Sequence, residues 1–515
     1  AYYYWRFRLP RRIHRPRHWG AETEQFDPPD GWGHGGFHDW YLLDYGQWGA
    51  GLVTPMYLLT GGRDVGRGCY LKPFPIERQL LLPGGPGLEQ QFLVFREEDA
   101  VDVAGRWRAL MARGDLFDVP WARLSGRVAT APTWLREAAI FQGWPYPWSE
   151  ATVEGRVAPF PLVIDAPIDA HLIEMARQAG SRTAVYVNVM QQWVPKPVEQ
   201  RGYDRPVFEF TRLLGLAEHP QWRRIGEDGV PAVSETRWWT NYNPCFLAPG
   251  YIERCLEAVD QVLDVRPDAL FVDNCFFRLD ACCGETLGVH EHRHDCPNAM
   301  AAYRGLVQLI GQRAHQVGVA MLCNSEVDPG LWDVMDGQMF ECMWYCPGWE
   351  GREKGYTPMR YAGERWAEAV RRGGTVQVLN YISVEAPQRR MQALGFTYAW
   401  CRLHGLMWTD WYNLFQAEDE ALREAAHRVY AIDLGRATDA RPHRDGLTLW
   451  RRFENGIVLL NPLREAVTCE IPAASSASGW DVVGDETLEA TDGAFRLTIG
   501  PQEGRILLTP PPDQA

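Results

Sequence analysis

The chain has 515 residues, of which 46% are hydrophobic, so it can bury a large core and fits neither a disordered nor a fibrous protein. Its formal net charge of -14 argues against nucleic acid or an anionic membrane as partner, because both bind basic surfaces. The sequence holds no run of roughly 18 consecutive apolar residues, as a membrane span requires, and its start lacks the apolar core of a signal peptide. A soluble protein that binds a neutral small molecule or a glycan is expected.

The 12 cysteines form no evenly spaced disulfide framework, and several lie in apolar runs where a thiol behaves as a small hydrophobic group. This usage favours a reducing, cytoplasmic location. Position 1 is alanine, so a removed export signal is the alternative. The chain also has 23 tryptophans, whose flat rings pack either in a core or against sugar rings.

The hydrophobic pattern predicts three domains. Residues 1–130 contain short apolar runs between Gly and Pro clusters, which predict a β-rich domain, and end in a connecting helix at 97–114. In residues 131–438, short apolar strands alternate with amphipathic helices, which predicts a (β/α)8 TIM barrel as the catalytic domain. Residues 439–515 alternate around turns and predict an antiparallel β-sandwich.

The barrel prediction depends on eight apolar runs with helical segments between most of them. The predicted strands are 139–142, 162–164, 184–189, 269–272, 320–323, 338–340, 376–379 and 406–408. The predicted helices are 169–178, 250–265, 299–317, 361–372 and 385–401. The fold class is therefore α/β.

Polar and aromatic side chains follow these strands at the end where barrel active sites lie. Asp273 and Asn274 come directly after the run 269–272. The other candidates for substrate binding are Asn188, Trp193, Trp239, Asn324, Trp344, Asn380, Tyr381, Asp410 and Trp411. For the tryptophans, packing under the barrel rim is the alternative, and for Asp410 it is a helix cap or a loop hydrogen bond.

Hydrolysis of a glycosidic bond needs two carboxyl groups, one as nucleophile or base and one as acid. Asp273 suits the first role. Glu341 is favoured for the second, because its apolar neighbours in MFECMW would raise its pKa. Glu326, in CNSE, is the alternative acid, and otherwise it would bind a sugar hydroxyl or orient the acid.

The segments DALFVDN, LCNSE and DGQMFE, preceded by PTWLREA and NPCFLAPGY, resemble the α-amylase- and α-galactosidase-related glycoside hydrolases. The resemblance covers residues 133 to about 510. It implies that Asp273 is the nucleophile and that Glu326 or Glu341 is the acid. The chain departs from the α-amylase pattern at Phe271, where that pattern has Arg, and at Asn380, where it has Asp. These departures argue against a starch-type specificity.

A second group of reactive side chains follows the same strand, and crowded thiolates and imidazoles can hold Zn²⁺ with about four ligands. The candidate ligands are Cys282, Cys283, His290, His292, His294 and Cys296. A structural zinc ion in the loop 280–296 is one hypothesis. A disulfide between Cys283 and Cys296, or a solvated loop, explains the pattern equally well.

The sequence contains no strand-associated GxGxxG, no GxxxxGK[ST] and no HExxH, so it gives no support for a nucleotide or zincin site. It predicts a glycoside hydrolase that cleaves an oligo- or polysaccharide with two carboxylates, with retention and without a required cofactor. One alternative is a barrel that binds carbohydrate without cutting it. Another is a metal-dependent hydrolase that uses the Cys/His loop.

Overall fold

A computed structural model describes the fold of most of the chain beyond residue 130. It describes residues 15–19, 40–44, 48–53, 91–96 and 121–122, and residues 130–509 except 146, 159, 197–208, 227, 236–238, 276–281, 297–298, 325–330, 332–333, 346–369, 371–372, 383–386, 411–413, 415–416, 446–447, 464 and 474–477. The backbone alone is described for residues 15–19, 40–44, 48–53, 91–96, 300, 341–345, 381, 387–388 and 445.

The described residues before 100 form one antiparallel sheet of four strands, in the order β1-β2-β3-β4. The strands are β1 (Arg15–Trp19), β2 (Trp40–Asp44), β3 (Trp48–Val53) and β4 (Gln91–Arg96). This sheet confirms the β-rich N-terminal region. The connecting helix predicted at 97–114 lies outside the described residues.

Eight further strands form one sheet and confirm the predicted barrel, although the first strand overlaps the predicted range 139–142 only at Gln142. They are β5 (Gln142–Gly143), β6 (Leu162–Ala166), β7 (Arg182–Val187), β11 (Ala269–Val272), β12 (Ala320–Asn324), β13 (Gly337–Tyr345), β14 (Thr375–Ile382) and β15 (Met407–Asp410). Their order in the sheet follows their order in the chain. A parallel bridge between Ile140 and Trp408 joins the first strand region to the last, so the barrel is nearly closed.

The third strand was predicted at 184–189, and it begins and ends two residues earlier, at Arg182 and Val187. Thr183 already belongs to it, and its carbonyl accepts from the backbone N–H of Asp268 at 3.0 Å. Asn188 follows the strand, and its side-chain oxygen accepts from the backbone N–H of Met190 at 2.9 Å. The predicted range therefore lay two residues too far toward the carboxyl end of the strand.

Helices separate the strands as the alternating pattern predicts. They are α1 (Thr133–Glu137), α2 (Glu150–Thr152), α3 (Ala170–Gln178), α4 (Glu209–Arg212), α5 (Tyr251–Asp264), α6 (Ala299–Gln316), α7 (Pro387–His404) and α8 (Glu420–Tyr430), with a π-helix at Val153–Val157 and a 3₁₀ helix at Pro220–Trp222. The helix predicted at 361–372 lies almost wholly outside the described residues. None of the described helices is long and apolar enough to cross a membrane.

A short sheet is inserted between β7 and α5. Its strands are β8 (Gln192–Pro195), β9 (Val233–Glu235) and β10 (Trp239–Tyr242), and β10 pairs antiparallel with both of the others. This insertion carries Trp193 and Trp239. It follows the carboxyl end of a barrel strand, where loop insertions in such barrels build binding sites.

The C-terminal region is an antiparallel β-sandwich, as predicted. Its strands are β16 (His443–Asp445), β17 (Thr448–Phe453), β18 (Gly456–Asn461), β19 (Val467–Pro472), β20 (Ser478–Asp481), β21 (Glu486–Glu489), β22 (Ala494–Ile499) and β23 (Glu503–Leu508). One sheet has the order β16-β17-β18-β23-β20-β21, and β19 pairs with β22. Ile457, Ile471 and Phe495 pack in the core between the two sheets.

The chain divides into two compact units. One comprises Ala1–Pro132, Trp144–Arg156 and Ile164–Gln338, and the other comprises Thr133–Gly143, Val157–Val163 and Met339–Ala515. In the first unit, the buried faces of α5 and α6 pack with β7, β11 and β12 in one hydrophobic core. The domain boundaries given above from the sequence remain predictions.

Candidate functional site

Asp273 occupies the carboxyl end of β11, between two parallel neighbours. β11 pairs with β7 on one side and with β12 on the other. The backbone N–H of Asp273 donates to the carbonyl of Val187 at 2.8 Å, so the pairing continues one residue past the strand. Asp273 is buried, with 8% of its surface exposed. A carboxyl group in this position needs compensation for its lost hydration.

Three side chains supply that compensation. The Asn324 amide donates to Asp273 Oδ1 at 2.6 Å, and the Asn274 amide donates to Oδ2 at 3.1 Å. The hydroxyl of Tyr186 donates to the same Oδ2. The donors come from β7, from the end of β12 and from the residue next to Asp273. Three parallel strands therefore place one hydrogen-bond shell around one carboxyl group.

The position of the Tyr186 hydroxyl is itself fixed by the backbone. Asn188 lies two residues further along the chain, and its Nδ2 donates to Tyr186 Oη at 3.2 Å. Its Oδ1 accepts from the backbone N–H of Met190, which sets the orientation of the amide. Asn188, predicted to bind substrate, here orients the tyrosine that contacts Asp273.

Burial and hydrogen bonding have opposite effects on the pKa of Asp273. Burial raises its pKa above the ordinary value of 3.8, while the hydrogen bonds from Tyr186 and Asn324 lower it. Burial and the nearby Asp273 raise the pKa of Tyr186 well above its ordinary value of 10.0. Tyr186 therefore remains a donor at neutral pH, and Asp273 is the group whose protonation responds to its surroundings.

Two tryptophans predicted as substrate-binding residues form a stacked pair beside this network. The rings of Trp193 and Trp239 lie 5.2 Å apart with an angle of 7° between their planes. The Trp193 ring lies 6.2 Å from that of Tyr186, and both tryptophans are partly exposed. Part of an aromatic surface is thus accessible next to the residue that binds Asp273. Such surfaces suit sugar rings.

Left-handed backbone occurs within two residues of the last residue of three barrel strands. Trp144, Asp165 and Asn274 have φ angles of 54°, 72° and 57°. Each costs about 1–3 kcal/mol for a residue other than glycine, and such strain concentrates at functional sites. In Asn274 this conformation accompanies the hydrogen bond to Asp273. The strain therefore marks the same edge of the sheet as the buried carboxyl group.

Tyr186 and Asp165 were not predicted as site residues from the sequence. Tyr186 lies inside an apolar strand, and its two-residue spacing from Asn188, which puts strand residues on one face, is the signal that identifies it. Asp165 is a buried acid in the strand LVIDA, and its charge raises the pKa of Tyr186. A carboxylate inside an otherwise apolar strand is a signal of this kind.

In the second unit, Asp410 ends β15 and is paired in register with Asn380 of the adjacent strand β14. Asn380 Nδ2 donates to the carbonyl of Thr409 at 2.9 Å. Asp410 accepts from the backbone N–H of Leu414 at 3.1 Å and from the hydroxyl of Tyr430. These contacts correspond to the loop hydrogen bond that was the alternative for Asp410.

Several predicted site residues lie outside the described structure. Glu326 and Trp411 are not described, and for Glu341, Trp344 and Tyr381 only the backbone is described. Glu341 belongs to β13, which is next to β12 in the sheet. The roles predicted for these five residues remain predictions.

The Cys/His loop brings together part of the predicted ligand set. Cys282, His290 and His292 converge with Cys245, which was not among the predicted ligands, and their ligand atoms lie within 4.8 Å of one another. Cys283, His294 and Cys296 are not part of this group. Cys283 and Cys296 are both free thiols, so the disulfide considered above is absent.

The two sulfurs of this group interact. Their hydrogen bond, together with burial, raises the pKa of Cys245, and the same hydrogen bond lowers the pKa of Cys282 to about 3.

No family model and no curated protein sequence matches the chain. Similar solved structures include the maltogenic alpha-amylase AmyB from Thermotoga neapolitana, with 11% identity over 73% of this chain and 99% of that chain and a TM-score of 0.47. An alpha-amylase from Malbranchea cinnamomea has 12% identity over 73% of this chain and 97% of its own, with a TM-score of 0.43. The glycoside hydrolase domain of PelA from Pseudomonas aeruginosa has 16% identity over 53% of this chain and 94% of its own, with a TM-score of 0.34. At these values the function has to be inferred from the chain's own residues.

Substitution of the two aspartates that flank β11 is expected to have opposite effects on stability. Asp268 precedes the strand and accepts from Arg182 Nη1 at 2.9 Å and from the Thr183 backbone N–H at 3.0 Å. Asp268→Asn would turn an NH₂ group toward one of these donors, so we expect a loss of about 1–3 kcal/mol. Asp273→Asn removes a buried charge, and the Asn324 amide can rotate to accept from it. We therefore expect an unchanged or higher thermal midpoint at neutral pH.

The pH dependence has a defined sign. Because the pKa of Asp273 is raised in the folded state, its contribution to stability is present below 3.8 and is lost as the pH rises toward the raised value. The thermal midpoint of the wild type relative to that of Asp273→Asn should therefore fall as the pH rises above about 4. Equal destabilisation by the two substitutions at neutral pH would contradict a functional origin of the Asp273 site.

Proposed function

We propose that the protein is a glycoside hydrolase in which Asp273 reacts with the anomeric carbon of a sugar. The observation that carries the proposal is the buried Asp273 carboxyl group at a barrel strand end, with hydrogen bonds from Tyr186, Asn274 and Asn324. A nucleophilic carboxylate has to be ionised yet poorly solvated. Burial removes water from it, and the three donors stabilise its charge.

The surroundings of Asp273 support a carbohydrate as substrate. The stacked Trp193 and Trp239 lie next to Tyr186 and are partly exposed. Aromatic faces bind the apolar faces of sugar rings, and amides bind hydroxyl groups. Asn324 and Asn274 supply such amides beside the carboxyl group. A substrate of this kind needs no basic binding surface, which agrees with the net charge of -14.

The reaction needs a second carboxyl group to protonate the leaving oxygen. We assign this role to Glu341, in the strand next to β12, with Glu326 as the alternative. In the retaining form of the reaction, the Asp273 carboxylate forms a bond to the anomeric carbon as the leaving oxygen takes the proton. Water activated by the same glutamate then breaks that bond, which regenerates both carboxyl groups.

A screen of nitrophenyl glycosides and of plant and microbial polysaccharides tests the proposed function. The wild type should hydrolyse at least one of them, and Asp273→Asn should reduce kcat on the order of 10⁴-fold. Asp268→Asn is the matched control, because it lies at the opposite end of the same strand, and it should retain activity at temperatures below its thermal midpoint. Sugar binding without hydrolysis, or activity that survives Asp273→Asn, would contradict the proposal.

Tyr186→Phe should change the pH dependence of that activity. The tyrosine hydroxyl lowers the pKa of Asp273, so its removal raises this pKa. Because the nucleophile has to be ionised, the acid limb of the kcat/KM profile should move to higher pH. Tyr251→Phe is the control: Tyr251 is equally buried, but its hydroxyl donates to the carbonyl of Val189. An acid limb that moves equally in both variants, or in neither, would exclude this role for Tyr186.

A further inference from the structure

We propose that Cys245, Cys282, His290 and His292 bind one structural zinc ion. Cys245 lies 37 positions before Cys282 in the sequence, so the four residues come from two separate segments. Their ligand atoms nevertheless lie within 4.8 Å of one another. Two thiolates and two imidazoles form one of the ligand sets that zinc prefers. This inference does not depend on the proposed glycosidase activity.

The spacing of the ligand atoms fits tetrahedral coordination. Cys282 Sγ lies 3.4 Å from His290 Nε2, and Cys245 Sγ lies 3.5 Å from His292 Nε2. Zinc with Zn–S bonds of about 2.3 Å and Zn–N bonds of about 2.0–2.1 Å separates a sulfur from a nitrogen by about 3.6 Å. Both contacts are therefore close to the edge of such a tetrahedron.

Backbone amides point at both sulfurs, as expected around thiolates. Cys282 Sγ accepts from the N–H groups of Ile225 at 3.3 Å and Gly284 at 3.4 Å. Cys245 accepts from the amides of Leu247 and Ala248. In each case one donor lies two residues after the cysteine, so both cysteines lie in similar turns. These turns hold the sulfurs in place and favour their charged form.

Glu285 has the position of an outer-shell partner for His292. Its Oε2 lies 3.8 Å from His292 Nδ1, and its Oε1 accepts from the His292 backbone N–H at 3.3 Å. A carboxylate on Nδ1 favours the tautomer in which the proton is on that nitrogen. Nε2, which faces Cys245, is then available as a ligand.

Four protein ligands make the proposed site a closed one. A catalytic zinc keeps a coordination position for water or substrate, whereas a structural zinc does not. Two thiolates also neutralise the ion. The arrangement therefore argues against the metal-dependent hydrolase considered from the sequence and favours a structural role.

The ion would hold together segments with little regular structure of their own. Residues 282–296 contain only turns, bends and irregular backbone. Backbone hydrogen bonds link them to two other loops, from Cys283 N–H to the Ile225 carbonyl at 2.9 Å and from Arg293 N–H to the Leu247 carbonyl at 2.7 Å. Zinc bound at the cysteines would anchor the loop that continues from β11 and Asp273, as metal ions do in small loop-rich folds.

Metal analysis of the protein purified under reducing conditions tests the site. We expect about one zinc ion per chain, lost in Cys245→Ser and in Cys282→Ser and retained in Cys283→Ser, the adjacent cysteine outside the group. Cobalt added to the zinc-free protein should give the intense absorption of a tetrahedral thiolate site. Both readouts are independent of any enzymatic activity.

Because a cysteine variant can fail to fold, Glu285→Gln provides a second test that leaves all four ligands in place. It should raise the zinc Kd about 10–100-fold, measured by competition with a chromophoric chelator. His294→Gln is its control, since His294 also contacts Glu285 but has an 80% exposed side chain. A wild type that binds no added zinc, a Cys245–Cys282 disulfide in the unreduced protein, or equal zinc loss in Cys283→Ser would overturn the proposal.

Discussion

The structure around the candidate site depends on one constraint, which is the burial of the Asp273 carboxyl group. Burial raises its pKa, and in an apolar barrel the ionised form would be costly without hydrogen-bond donors. Tyr186, Asn274 and Asn324 supply these donors from three adjacent strand ends. The parallel sheet brings these ends together, so the barrel fold also creates the surroundings on which the reactivity proposed for Asp273 depends.

The same network relates local backbone structure to the proposed chemistry. The Met190 N–H orients Asn188, Asn188 orients the hydroxyl of Tyr186, and this hydroxyl donates to Asp273. Asn274 completes it in a left-handed conformation that most residues avoid. Each of these contacts joins residues that are close in the sequence or that lie on neighbouring strands. A nucleophile held in this way loses little freedom on reaching the transition state.

Much of the fold was predictable from the sequence, because buried parallel strands are short apolar runs that end at polar residues. The strand 269–272 and Asp273 are the clearest case. Tyr186 was not predicted as a site residue, because a tyrosine inside AVYV is typical of the core. Cys245 was missed because no spacing rule joins it to Cys282; the loops meet through pairs such as Arg293 with Leu247. Sequence thus predicts the elements, whereas contacts between distant loops require the fold.

Covalent labelling tests the nucleophilic role of Asp273 most directly. A 2-deoxy-2-fluoro glycoside with an activated leaving group, made from the best sugar of the substrate screen, slows the second step of a retaining reaction and accumulates the glycosyl-enzyme. Mass spectrometry of the digested protein should then find one added sugar on the peptide that contains Asp273. A label on another carboxylate, such as Asp165, or hydrolysis of the reagent without any labelled peptide, would contradict the assignment of Asp273 as nucleophile.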